Sequence, residues 1–206
     1  MRPSAAVVEL NRAERSKREK RERIVRAARQ LFLSKGFHAT TTSEIAELAD
    51  VAKGTLFFHA KSKEALLVMM FQEEVGRSIE RAFSKVPKAA LIDQLTHVFG
   101  IMLKDNQRNI GLARIFAKEL AFVHGENRGI DAVMATIFEK LDRLIAGAKE
   151  REELPADIDT ALLAHNLFAL YFTFMLRWLG SGEPTPHRRD PSLRQILEMH
   201  LRCAAS

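Results

Sequence analysis

Only 10 Gly and 6 Pro occur in 206 residues. That is too few chain-reversing residues for a many-turned β-protein of this size. Long stretches run without either residue, and such stretches point to helices. The fold class expected is therefore all-α. A chain of this length accommodates one large domain, or a small domain followed by a larger one. With 47% hydrophobic and 28% charged residues, its composition is that of a globular protein able to bury a core.

The charge is unevenly placed. Residues 1–65 hold 14 Lys/Arg against 8 Asp/Glu, which is the whole of the net +6; residues 66–206 hold 18 of each sign. A cationic first third followed by a neutral remainder suits a head that meets a polyanion and a body that does not. The single cysteine, Cys203, cannot form an internal disulfide and fits a reducing compartment. No apolar leader is visible at the charged N-terminus, so a cytoplasmic location is expected. The most hydrophobic stretch, 162–179, contains His165, Asn166 and Arg177 and reads as a buried core helix rather than a membrane span.

Residues 1–20 read as a basic flexible arm. Ile24, Ala27, Ala28, Leu31 and Phe32 then recur at i, i+3, i+4, i+7, i+8, the spacing that buries one face of a helix. Gly36 suits the position just after that helix, and Phe37 follows where an apolar contact often closes such a cap. Thr41 and Glu44 have capping-box spacing and open a second short helix with Ile45, Leu48 and Ala49 on its apolar face. Asp50 supplies a turn residue tolerant of the left-handed conformation. A third short helix spans roughly 53–59, and Ser62 caps a fourth that runs to about Val86, ahead of Pro87. Further helices are expected at 88–105, 110–124, 129–151, 158–179 and 191–204, the last with Asp190 as N-cap and Pro191 at its first position. The domains so outlined are the arm 1–20, a three-helix head 21–66 and a helical-bundle body 67–206.

Two short helices joined by a tight turn, with a third across them, form a helix-turn-helix unit whose last helix enters the DNA major groove. Gly54 at the start of that helix lets a phosphate approach closely. Lys53 and Lys63 flank it and can neutralise backbone charge. Thr55, Phe57 and Phe58 are candidates to face the groove, where a methyl or ring edge can touch thymine; Phe57 and Phe58 could equally be core. Leu56 should point inward. The run Gly36-Phe37, Thr40-Thr41, Ile45-Ala46, Lys53-Gly54-Thr55-Leu56, His59, Ser62-Lys63-Glu64-Ala65-Leu66 resembles the DNA-binding head of the TetR family of bacterial regulators. That resemblance implies phosphate contacts by Thr42 and His59. Three positions depart from the family pattern: Phe57 stands for a usual Tyr, Ala60 for an aromatic residue and Ala52 for a polar cap. The arm could reach a minor groove or serve as a solubilising tail.

In the body, residues 162–175 are apolar all round, so that helix needs partners on both sides. The last helix offers Leu193, Ile196, Leu197, His200 and Leu201 on one stripe. With Phe174 these are the candidate dimer contacts, and the resemblance implies the same pairing through the last two long helices. A homodimer reading a two-fold symmetric double-stranded operator is expected. A soft, aromatic interior suits an adaptable pocket for an apolar or amphipathic small molecule; its candidate lining is Phe99, Met102, Phe116, Asn166, Phe168, Tyr171, Phe172 and Met175. Phe122 and Met134 belong to the same apolar set, and His97, Arg114 and Lys118 lie beside it. No Gly-rich phosphate loop, HExxH or GxSxG occurs, and His97, His124 and His165 lack metal-ligand spacing. No enzyme activity, cofactor, metal or membrane partner is expected. The function these readings converge on is a repressor released from its operator by a small molecule.

Overall fold

The computed structural model describes residues 5–120, 128–186 and 190–204. They form helices α1 (Ala5–Ser34), α2 (Thr42–Leu48), α3 (Lys53–His59), α4 (Lys63–Ser84), α5 (Leu91–Gln107), α6 (Ile110–Leu120), α7 (Arg128–Glu150), α8 (Thr160–Ser181) and α9 (Leu193–Ala204), with no strand among the described residues. The chain divides into two compact units, Met1–Phe71 and Gln72–Ser206. The boundary lies inside α4, five residues beyond the expected one.

In the first unit the punctuation falls where the residues place it. Gly36 takes φ +88, a conformation that costs a Cβ-bearing residue, and Phe37 packs its ring 5.1 Å from Phe32. The Glu44 amide donates to the Thr41 hydroxyl at 3.2 Å, and the Thr41 amide donates to the Glu44 carboxylate at 2.9 Å. Asp50 adopts φ +51 in the turn after α2. The Ala65 amide donates to the Ser62 hydroxyl at 3.1 Å, capping α4.

Two expectations change. The segment read as an arm is helical from Ala5 and continuous with α1. Arg15 and Glu19 pair at 3.0 Å, and Arg18 and Glu22 at 3.7 Å. Each such i,i+4 pair adds a few tenths of a kcal/mol to a helix, and no Gly or Pro interrupts the run. At the other end, α9 does not begin at Pro191. Ser192 and Gln195 form a reciprocal cap: the Ser192 amide donates to the Gln195 carbonyl oxygen at 2.7 Å, and the Gln195 amide donates to the Ser192 hydroxyl at 3.3 Å. That pair satisfies the free amides two residues later than an Asp190 cap would. Phe122 and His124, expected in the sixth helix, lie outside the described residues.

In the second unit α8 packs on α7, α6 and α9. Its inner face buries Leu163, Ala164, Leu167, Tyr171, Phe174, Met175, Trp178 and Leu179 against residues such as Leu95, Phe99, Ile137, Leu141 and Ile145. Asp159 caps α8 by accepting from the Leu162 amide at 2.9 Å. α8 is long and apolar enough to cross a membrane by composition alone, but its buried face is part of this core. Asp105 ties α4 to α5: it accepts from the Ser78 hydroxyl at 2.7 Å and pairs with Arg81. These bonds outweigh desolvation and hold its carboxyl below its usual range.

The capping box is the only side-chain cap on α2, a helix of seven residues. Thr41→Ala should therefore lower the stability of the first unit by about 1 kcal/mol, measured as a lower denaturant midpoint at unchanged slope.

Candidate nucleic-acid interface

The recognition element is held from beneath. Ile24, Ala28 and Phe32 of α1, Ile45 and Ala46 of α2 and Leu56 of α3 are all buried, so Leu56 points inward as expected. Helix α2 is tied at both ends to α1 and the residue that follows it. Arg23 pairs with Asp50 at 3.2 Å, and Lys35 pairs with Glu44. The Lys35 bond, followed by the Thr41 amide and hydroxyl, pulls the Glu44 pKa down to about 2.

With Leu56 inward, the opposite side of α3 faces solvent. Lys53 and Gly54 are exposed, Thr55 and His59 half-buried. Phe57 is 45% and Phe58 71% exposed, which removes the alternative that both rings are core. A Cβ built on Gly54 meets nothing within 4 Å and its φ is not positive. Neither packing nor backbone conformation calls for glycine there, so its small size matters only to something outside the chain. Ala52 at the N-cap supplies no side-chain hydrogen bond, so no N-cap side chain competes for the amides of Lys53 and Gly54. Thr42 is half-buried at the first turn of α2.

Lys63 differs from its expected place. Its ammonium donates to the carbonyls of Thr40 at 3.0 Å and His38 at 3.3 Å and lies 4.5 Å from the centre of the Phe37 ring. It closes the loop between α1 and α2. These two bonds use two of the three ammonium donors and leave one for another acceptor.

A sequence model described as bacterial regulatory proteins, tetR family, matches residues 24–70, the stretch holding this head. This head is a TetR-family DNA-binding head. The chain is a DNA-binding transcriptional regulator. Among its relatives is the fatty acid metabolism regulator protein of Bacillus subtilis, 27% identical over 82% of this chain and 88% of that protein. The regulator AcrR of Shigella flexneri is 24% identical over 90% and 91% of the two chains. The crystal structure of Thermus thermophilus FadR, a TetR-family repressor in complex with lauroyl-CoA, superposes with TM-score 0.64 at 28% identity over 89% of this chain and 92% of that one.

In the body, Phe99, Met102, Phe116, Tyr171 and Met175 are buried, and Phe168 and Phe172 are half-buried. Phe99 stacks on Tyr171 at 4.6 Å, and Phe168 lies 5.8 Å from Tyr171. The Tyr171 hydroxyl donates to the Met175 sulfur at 3.7 Å, and burial pushes its pKa up. Asn166 does not join them; it is exposed on α8. A surface groove of about 340 Å³ lies elsewhere in the body, lined by Phe83, Gln94, Lys140, Arg143, Leu144, Gly147 and Arg151.

The dimer candidates divide. Phe174, Leu193 and Leu197 are buried within the single chain, so they serve its own core; Ile196, His200 and Leu201 are half-buried. The apolar residues turned outward on α8 and α9 are Leu162 (59% exposed), Leu176 (39%) and Met199 (67%). Sequence reading missed these because α8 is apolar on every face, so hydrophobicity does not distinguish its inner from its outer side. Lys17 and Arg21, read from the sequence as members of a crowded basic segment, line a cleft with His59. The i,i+4 pairing of Arg15-Glu19 and Arg18-Glu22 was the available signal that this segment is helical.

Two predictions follow from α3. Gly54→Glu should abolish DNA binding in fluorescence anisotropy while leaving the unfolding midpoint unchanged, since its Cβ has open space. His59 should couple binding to protons. Its pKa is held below that of a free imidazole, first by desolvation and then by Lys17, Arg21 and Lys20; Glu14, Arg15 and Arg18 line the same cleft. A phosphate there favours the protonated ring, so binding takes up a proton and affinity should rise as pH falls through the range in which the bound ring protonates. His59→Gln should remove that part of the pH dependence.

Proposed function

We propose that the chain acts in the cytoplasm as a homodimeric repressor, not an enzyme, and that a long-chain acyl-CoA releases it from a two-fold symmetric operator. The observation that carries this reading is the likeness to the lauroyl-CoA-bound Thermus thermophilus FadR at 28% identity, which spans 89% of this chain, body included. The Bacillus subtilis fatty acid metabolism regulator, alike over 82% of the chain, points the same way. The chemistry agrees. An acyl chain is apolar, and the body interior offers Phe99, Met102, Phe116 and Met175, flexible or flat side chains that accommodate a hydrocarbon. On the DNA side, Thr42, Lys53, Gly54, Thr55, Phe57, Phe58 and His59 form the proposed contact set.

Release requires that the ligand prefer the form that does not bind DNA; equal affinity for both forms changes nothing. A coupling of about 2–3 kcal/mol lowers operator affinity some 30- to 150-fold. Titrating acyl-CoAs of increasing chain length against a protein–operator complex should give release that strengthens with length. Coenzyme A alone should have no effect. Absence of release by any acyl-CoA would leave a TetR-family regulator with a different effector or none.

For the dimer, the outward residues Leu162, Leu176 and Met199 are apolar groups that a second copy would cover. The two heads would then meet half-sites about 34 Å apart or a multiple of it. Leu176→Glu with Met199→Glu should yield monomers in sedimentation. A wild-type monomer at micromolar concentration would end this part of the reading.

A further inference from the structure

The stripe of α1 that is apolar inside the head changes character upstream. Ile24, Ala27 and Ala28 are buried, and the positions one and two turns before them on the same face are Arg21, Lys20 and Lys17. That face lies against the end of the recognition helix. The Lys17 ammonium is 5.6 Å from the centre of the Phe58 ring, and the Phe58 ring meets His59 edge-on at 5.4 Å. A cleft of about 430 Å³ opens between the two helices, lined by Glu14, Arg15, Lys17, Arg18, Arg21 and His59.

We propose that the cationic face of α1 around Lys17 and Lys20 is a second DNA-contacting surface, which grips the phosphate backbone beside the groove that α3 enters. This rests on the reading of α3 as the recognition helix. Here the nearby carboxylates of Glu19 and Glu22 are engaged by Arg15 and Arg18 along the helix. The described partner of Lys17 is an aromatic ring rather than a carboxylate. Cations gathered around a single imidazole repel one another and oppose its protonation. Glu14 shares the cleft, and an anion entering it is attracted by the cations around His59. Phosphates of a duplex recur along each strand, so a helix face with cations one turn apart can meet more than one of them. Because Lys17 also touches Phe58, a phosphate held there would fix the angle at which Phe58 meets the groove.

The contact is to phosphate, so its test needs no operator. Lys17→Gln with Lys20→Gln is compared with wild type on a mixed-sequence duplex over a range of salt. Each lost phosphate contact lowers the slope of log affinity against log salt by about 0.9, so the double variant should be shallower by about 2 per protomer. Lys17→Arg with Lys20→Arg should keep the wild-type slope, and both variants should keep the thermal midpoint because these positions are exposed. An unchanged slope in the Gln variant overturns the proposal. So does a wild-type protein that binds anionic phosphatidylserine vesicles through these lysines while its DNA slope does not depend on them. Gly54→Glu, run in parallel on operator DNA, separates the failures: if it alone is without effect, the reading of α3 is wrong; if the lysine variant alone is without effect, only the second surface falls.

Discussion

The head depends on the burial of one stripe of α1. Helices α2 and α3 have seven residues each, well under the length at which an isolated helix persists in water. They exist because Ile24, Ala28 and Phe32 supply the apolar surface on which Ile45 and Leu56 close. The two ion pairs from α1 and the residue that follows it, Arg23 to Asp50 and Lys35 to Glu44, are exposed, and such pairs contribute little energy. Their effect is to fix direction, at the turn and at the start of α2. Lys63 does the same for the loop by holding the Thr40 and His38 carbonyls. Once Leu56 is directed inward, the helical period turns Gly54 and Phe58 to the outside; Lys53, at the first position of the helix, and Phe57 are exposed as well.

This explains which parts were legible in the sequence. Gly36, the Thr41–Glu44 box, Asp50 and Leu56 could be read because each is a local requirement: a positive φ, an unsatisfied amide, a buried point on a short helix. The recognition helix follows from them. Two readings went astray, and Lys63 took on a further role, where a residue had more than one way to satisfy its chemistry. Lys63 could have met water, phosphate or backbone carbonyl, and only the fold places Thr40 and His38 within its reach. Pro191 signals a helix start, but the Ser192–Gln195 cap next to it satisfies two amides at once. The arm looked disordered because it is crowded with charge; at i,i+4 spacing, charges of opposite sign support a helix instead.

The body was harder to read for a different reason. Hydrophobicity tells inside from outside only when one face of a helix is polar. On α8, Phe174 and Leu176 are chemically alike and two residues apart, yet one is buried and the other exposed. Nothing in the sequence marks that difference. Asn166 was misplaced for the same reason, since a lone amide in an apolar run can face a pocket or the surface.

An apolar interior has a further consequence for sensing. Phe99 and Phe168 each lie against Tyr171, and among the described residues the Tyr171 hydroxyl meets the weak acceptor sulfur of Met175 and the Asn106 side chain. A ligand seated among these residues must part rings that already satisfy each other's surface. Its net affinity is then the gain from its own burial less the cost of opening them. That cost is what makes a switch possible: a ligand that fitted without rearrangement would bind both forms of the body alike and could not alter the hold on DNA. A hydrocarbon chain gains roughly 0.8 kcal/mol for each methylene it buries, so lengthening it offsets the opening cost in steps. Selectivity for chain length is therefore the behaviour this interior favours, and a stronger hydrogen-bond acceptor placed near Tyr171 would add to it by satisfying a hydroxyl that the protein itself serves poorly.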